Sequence, residues 1–481
     1  MRTSALQQLR WVKPKDQQAV AAEPTLLDFA PTAYPARAAA LRRAILEAGL
    51  PEPPQGEMSV VEEARYLMQA AAEVEHALLI QYLYAVYSIR TKNALNAARQ
   101  RRRKLLNIAL EEMGHLLTAQ NLLLAVGASP YFDRGNTLLG GGPAGDHPFP
   151  LRLEPLSPDS LAKYVTAESP PLDMIQDPAL RARVEPVFAR AAQVAGQNVN
   201  HIGVLFAKIF WLFQPNDDPH PLWPELPGDL LPSGRHLAES DFVTASEPQQ
   251  AQPEEFNQDP VDPPSGENIY IIPVRSRIES LFALDKIAEQ GEGWQLGPES
   301  HFERFLEAYE KFDTELAGYI APVPVNPHTS ATGMAPGLIT HPAALLWARL
   351  ANARYQMLLL KLGLGLRQPR QPGDGGPLSR FSLFQSSLDH EMEALKVNGA
   401  RLVEFSDQGE VAGLPFELPD DPLPTDNDGI KRRLGEVVLA ARELIQQLIN
   451  LPAPNAPTQN ELDLLESLRQ ADESLLAALQ P

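Results

Sequence analysis

Glu112 and His115 stand three residues apart in the run Leu105–Val126, on a stripe that is otherwise apolar. Positions 105, 108, 112, 115, 119, 122 and 126 share one face of an α-helix, and the remaining five are Leu, Ile, Ala, Leu and Val. A carboxylate and an imidazole one turn apart on a core-facing stripe need partners, because an unpaired buried charge is costly. The simplest partner for each is the other, as a hydrogen-bonded pair at a helix interface. The alternative is metal ligation: in di-metal carboxylate bundles a Glu-x-x-His pair on one helix works with single glutamates from its neighbours.

Neighbouring stretches carry the same kind of interruption. Ser59-Val-Val-Glu62 reads as a capping box opening a helix that runs to about Arg90. Its inner stripe is Ala64, Met68, Ala71, Glu75, Leu78, Tyr82, Ala85 and Ile89, so Glu75 breaks an apolar seam about halfway along. Tyr82 lies two turns further on, placed either to hydrogen-bond a ligand or to pack. Glu73 and His76 fall off the stripe and are expected toward solvent or behind the ligands. In a helix over about Arg275–Gln290, Ile278, Phe282, Asp285, Glu289 and Glu292 follow 4-3-4-3 spacing, and Gly291 and Gly293 loosen the chain there. A further helix opens at Ser300, with His301, Phe305, Ala308, Phe312 and Leu316 as its inner stripe.

The candidate ligands are therefore Glu75, Glu112, His115, Glu289 or Glu292, and His301. Carboxylates and imidazoles without sulfur suit iron or manganese, with zinc also admissible. Two ions bridged by carboxylates can bind dioxygen and carry two-electron oxidations, whereas one ion with three ligands can polarise a substrate or serve structure alone.

The elements that must position these residues give an all-α reading: a four-helix bundle with long Pro-rich loops and additional C-terminal helices. Residues 1–57 form a proline-rich arm on the surface, with a short helix at about Ala36–Ala48. The bundle occupies 58–320 and a C-terminal helical region, 321–481, packs on it. Gly127 is the expected glycine after the second helix. Residues 137–170 read as an irregular crossover of the kind one long connection in a bundle requires, and Gly140–Gly145 lacks the ending of a phosphate loop. The third helix is expected over Pro186–Phe213; its seam has no carboxylate, and the nearest candidate ligand, His201, is one position off it. Eleven prolines between Pro215 and Pro264 mark a lid or an insertion. Arg99–Lys104 is a basic run expected to be solvated, and Asp389–Glu393 mixes helix faces, which disfavours it as a second metal site. The last helices are Pro342–Leu366, Ser379–Phe405, Ile430–Leu451 and Gln459–Leu479.

Composition bounds the partners. The 481 residues are 44% hydrophobic and carry 61 acidic against 41 basic side chains, a formal charge of −20. That balance speaks against nucleic acid and anionic membranes as partners and leaves a small-molecule substrate, with a homo-oligomer open. No cysteine is present, so thiolate sites, iron–sulfur clusters and cysteine nucleophiles are excluded. The opening Met1–Arg10 has no apolar signal core, and no later run reaches the ~18 apolar residues of a membrane span; the expected location is the cytoplasm.

Taken together, Glu73–Ser88, Ala109–Leu124 and Ile287–Gly293 with Ser300–Phe305 resemble the ferritin-like domain of the iminophenyl-pyruvate dimer synthase family. The resemblance covers about residues 58–310. It implies a ferritin-like bundle and a non-haem metal oxidoreductase, with one or two irons, of the kind that joins two amino-acid-derived imines in bisindole pigment pathways such as violacein. It points to Glu75, Glu112, His115, Glu292 and His301 as ligands; in the oxidoreductase reading Tyr82 and His201 support that site as catalytic groups, behind the ligands or, for His201, as a substitute ligand. It departs where the family carries Gly-Glu-(Leu/Phe)-Tyr and this chain has Gly203-Val204-Leu205-Phe206, since Val204 cannot ligate. A ferritin-like metal-binding or scaffold protein without catalysis is the alternative.

Overall fold

A computed structural model describes residues 5–12, 42, 45–46, 49–54, 58–135, 152–169, 172, 175, 177–195, 202–215, 230–231, 234–256, 269–290, 300–330, 337–370 and 375–480. Two long antiparallel helices form its centre. Helix α2 (Val60–Tyr87), which follows a single turn α1 (Ala5–Gln8), starts at the expected capping box: Ser59 accepts from the Glu62 N–H while Glu62 accepts from Ser59. Helix α3 (Asn96–Ala125) ends before Gly127, which takes φ +71°, a conformation that favours glycine.

The hairpin is closed on one side by α4 (Pro158–Ala167) and α8 (His301–Glu310), which pack on each other, with α5 (Pro178–Ala195) behind α4. On another side α6 (Ile202–Phe213) packs on α2, and α7 (Arg277–Gln290) packs on α6 and α3. The C-terminal part is built around α9 (Pro342–Gly365). Against it lie α10 (Arg380–Ser386), a π-turn (Ser387–Met392), α11 (Glu393–Asp407) and α12 (Asn427–Ile449). The last helix, α13 (Gln459–Leu479), packs on α12, and α11 touches α2, joining this part to the hairpin.

Several expectations change. The described parts of the N-terminal arm are not superficial: Leu6, Leu9, Ile45 and Leu50 are buried. Strands β1 (Arg10–Val12) and β2 (Leu50–Glu52) pair antiparallel, and the Leu6 N–H donates to Glu73 at 3.0 Å. The short helix expected at Ala36–Ala48 lies mostly outside the described residues. Glu73 and His76 are also buried, because α2 is covered by α1, α3, α6 and α11 and has no solvent face at that level. Of the single helix expected at Pro186–Phe213, the described residues give α5 and α6, with 196–201 outside them, and Pro186 lies inside α5, which starts at Pro178, rather than at a helix start.

The proline-rich segment between 215 and 264 is, in its described part, a wall rather than a lid. Leu237, Ala251 and Phe256 are buried there, and Asn121 of α3 donates to Ala251 O at 3.0 Å and accepts from its N–H at 2.7 Å. In the basic run Arg101 is buried and paired with Glu307 and Glu315. Gly140–Gly145 lies outside the described residues. Among those residues no helix is long and apolar enough to cross a membrane.

Candidate metal centre

Four helices meet at a buried group of carboxylates and imidazoles. Glu75 comes from α2, Glu112 and His115 from α3, Glu168 from the C-cap of α4, and His301 from the first turn of α8. Each is at most 3% exposed. Their ligand atoms form two trios, Glu75–Glu112–His115 and Glu112–Glu168–His301, each spanning no more than 4.8 Å.

Glu112 belongs to both, one oxygen to each side. Its Oε2 lies 3.1 Å from His115 Nδ1, and its Oε1 lies 3.0 Å from His301 Nδ1. The outer carboxylates complete a near-symmetric pattern, with Glu75 Oε2 3.5 Å from His115 Nδ1 and Glu168 Oε2 3.5 Å from His301 Nδ1. The two rings face each other at 5.7 Å.

Local sequence explains each placement. The 75, 112, 115 and 301 positions are the polar interruptions of inward apolar stripes. Glu168 arrives differently. Ser157 caps α4 reciprocally with Ser160, Pro158 occupies the first turn, and the helix stops at Glu168, whose N–H still donates to Tyr164 O. The prolines at 170 and 171 prevent continuation. A stretch expected to be irregular thus contains a ten-residue helix that delivers a carboxylate.

Partners surround the group. Tyr82, buried on α2, donates its hydroxyl to Glu168 Oε1 and packs against Tyr164 and Phe305 with ring centroids at 4.9 and 4.8 Å. Glu111, the residue before Glu112, meets the far side of His301: its Oε2 lies 2.7 Å from Nε2. Arg304, one turn beyond His301, holds Glu111 through both guanidinium ends.

The charges are strongly coupled. Burial, reinforced by Glu112, pushes the Glu75 carboxyl up to about 8. Burial also raises Glu168, against the pull of His301. For Glu112 burial acts the same way but the two imidazoles outweigh it, and the carboxyl is held well below the usual range. Burial disfavours both imidazolium ions, yet Glu112 and the other carboxylates beside them raise His115 and His301 well above the ordinary histidine value. Burial and Glu168 raise the Tyr82 phenol, so it is a neutral donor.

The group fits divalent cations. Glu75 Oε1, Glu112 Oε1, Glu168 Oε2 and His301 Nδ1 are buried and have no hydrogen-bond partner; the 3.0 Å approach of the last to Glu112 lacks hydrogen-bond alignment. Such atoms left unpaired cost on the order of 1–3 kcal/mol each. Their convergence is explained by cations that these oxygens and nitrogens would ligate. Three carboxylates with two imidazoles, one carboxylate shared, is a donor set for two ions.

Other candidates fall elsewhere. His201 and Glu292 lie outside the described residues, as does the side chain of Glu289. The face assigned to Glu289 turns outward earlier in α7, where Ile278 is 66% and Phe282 37% exposed; Leu281, Leu284 and Ile287 form the buried side. Val204 is buried on α6, a helix that packs on α2 and α7; the further carboxylate of the cluster, Glu168, comes from α4 instead. Glu391 of the 389–393 cluster is committed to Lys361 and Arg354.

Fold and site together define a helical bundle built around a carboxylate–histidine group able to hold a metal. The ferritin-like family model matches residues 68–310, 243 of the 481, and the chain belongs to that family. Dichlorochromopyrrolate synthase of Lentzea aerocolonigenes is 26% identical over 415 residues, covering 75% of this chain and 36% of that protein. The 2-imino-3-(indol-3-yl)propanoate dimerase of Chromobacterium violaceum is 34% identical over 147 residues, 24% of this chain and 14% of that one. The chain thus spans about a third or less of the length of these relatives. A ferritin-like protein from Caulobacter vibrioides overlays at a TM-score of 0.44 with 16% identity, over 74% of this chain and 97% of that structure, too loose a match to add to the argument.

Proposed function

We propose that this protein is a non-haem metal oxidoreductase, using iron held by Glu75, Glu112, His115, Glu168 and His301, that acts on a small amino-acid-derived organic substrate. The observation carrying this reading is the sharing of Glu112 between two donor trios whose buried atoms lack hydrogen-bond partners. The names of the two relatives support the substrate class, a 2-imino acid or its coupled product. Manganese or zinc would fit the same donors less specifically.

When bound, iron supplies electron transfer between substrate and dioxygen. The chain's own residues do the rest. Glu112 would give one oxygen to each donor trio. Tyr82 holds a proton on Glu168 Oε1 and leaves Oε2 toward the cluster. Glu111, fixed by Arg304, holds His301 at Nε2 and turns Nδ1 inward. The Tyr82–Tyr164–Phe305 rings exclude water from the α4 side.

Metal content and oxygen uptake test the reading together. About two irons per chain, lost in Glu112→Ala, with repeated turnover of dioxygen in the presence of 2-imino-3-(indol-3-yl)propanoate generated in situ, are the expected results. Uptake that stops after one equivalent would make the protein a metal-holding bundle, and no bound metal in either protein would end the enzyme reading.

A further inference from the structure

The α2–α3 hairpin has a reverse side, and an apolar cavity of about 60 Å³ lies there, between the hairpin, α9 and the π-turn at Ser387–Met392. Its wall includes Leu79, Met113 and Leu116. Leu79 follows Glu75 by one turn, and Met113 and Leu116 directly follow Glu112 and His115. The cavity therefore backs onto the helix segments that carry three of the clustered side chains.

Its chemistry limits what it can hold. Tyr355 and His76, polar members of the wall, are bonded to each other at 2.5 Å, and Arg134 donates to the Tyr355 oxygen at 3.0 Å. Ser387, at the start of the π-turn, donates to Leu383 O of α10. A buried water needs two to four polar partners, and a wall made mostly of Leu, Met and Phe side chains, with its Tyr355 hydroxyl already bonded, offers few of them. Size limits it as well, since an engineered apolar cavity of roughly 150 Å³ is what admits benzene. At less than half of that, the occupant has two or three heavy atoms and no hydrogen bonds to make. Half-buried Leu83, Leu358 and Leu388 line it too, giving an apolar approach from outside.

We propose that this cavity is a binding site for dioxygen, a small apolar gas held beside the helices that carry Glu75, Glu112 and His115. The inference rests on the oxidase reading above and adds to it where the co-substrate collects.

Xenon is the probe. Crystals of the metal-loaded protein under xenon pressure should show one anomalous peak between Leu79, Leu116 and Leu358, and Leu358→Phe or Leu388→Phe should abolish it. In the same variants, with metal content and melting temperature at parental values, the apparent KM for dioxygen should rise roughly threefold or more while kcat at saturating oxygen is kept. An ordered water in place of xenon, or filled variants with the parental oxygen dependence, would overturn the proposal while leaving the oxidase reading intact. A protein that takes xenon there but never consumes dioxygen would instead overturn the oxidase reading, and this proposal with it.

Discussion

Glu111 Oε2 lies 2.7 Å from His301 Nε2 while the very next residue, Glu112, places Oε1 3.0 Å from Nδ1 of the same ring. Two consecutive glutamates thus flank one imidazole at its two nitrogens, Glu111 with a hydrogen bond and Glu112 without one, and they are in different states of commitment. Glu111 is tied to Arg304 and partly reaches solvent, whereas Glu112 is enclosed and shared with His115. His301 and Arg304 outweigh burial at Glu111 and hold its carboxyl down to about 2. Glu111 is therefore a fixed anion that orients the ring.

Glu111→Gln should leave the fold in place and weaken the hold on His301. A carboxylate behind a ligating histidine is typically worth about ten- to a hundredfold in metal affinity. Competition with a chelator should show a loss of that order for the ion on the His301 side, with the ion on the His115 side held as in the parent.

Glu168 and Tyr82 separate ligation from support. Glu168→Ala removes a donor from one trio only, so metal content should fall toward one ion per chain, with Glu75 and His115 keeping theirs. Tyr82→Phe removes only the hydroxyl donor to Glu168 Oε1. It should keep the metal and lower stability by about 1–2 kcal/mol, the cost of a buried acceptor left without its partner. Elemental analysis beside a denaturant melt distinguishes the two.

What could be read from the sequence follows the geometry of helices. Glu75, Glu112, His115 and His301 break long apolar stripes, and a stripe of four or more turns is unambiguous. Glu168 was illegible on that basis. Its helix has fewer than three turns, sits between proline- and glycine-rich stretches, and presents the carboxylate at its cap, where periodicity has ended. The signals that could have located it are the Ser157-Pro158 start and the four-residue step from Tyr164 to Glu168. Glu73 and His76 show the converse limit: a stripe identifies the first buried face of α2 but not that its other faces are covered by α1, α6 and α11. Glu73 is used there, since its two oxygens accept the N–H groups of Leu6 and Gly135.

Gly114, between Glu112 and His115, looks like a weak point in a helix, where alanine is ordinarily better by about 1 kcal/mol. Here the backbone of Tyr270 crosses directly over it, and a Cβ would stand well inside contact distance of the Tyr270 carbonyl oxygen. The crossing segment is anchored nearby, since the Ile272 N–H donates to Thr118 and Asn121 donates to Ile272 O. Gly114→Ala should therefore destabilise by about 1–3 kcal/mol instead of stabilising, because neither backbone can yield. It should also disturb the Glu112–His115 pair, so thermal melting and metal content would fall together; a variant with a raised melting temperature would contradict the close approach.

In the C-terminal part, Arg354 forms paired bonds to Asp472 and approaches Glu391 at 3.5 Å, while Lys361 also bonds to Glu391, and all four side chains are buried. Burial opposes the Glu391 anion, but Lys361 and Arg354 outweigh it and its pKa is lowered. A lowered folded value means stability that is fully present above the unfolded glutamate pKa of about 4.3 and is lost as pH falls through the folded value. Asp472, raised chiefly by burial, has the opposite sign, favouring the fold where it is protonated. Glu391→Gln isolates the first contribution. At pH 7 the variant leaves two buried cations with one carboxylate and should be less stable by about 3–5 kcal/mol. As pH falls below the unfolded glutamate value of about 4.3 toward the lower folded one, the contribution of the Glu391 charge is lost and the gap between the two proteins should shrink. Denaturant melts of parent and variant from pH 7 to pH 3 measure that gap directly, and a difference that stays constant across the range would show that the Glu391 charge is not what holds α9 to the π-turn.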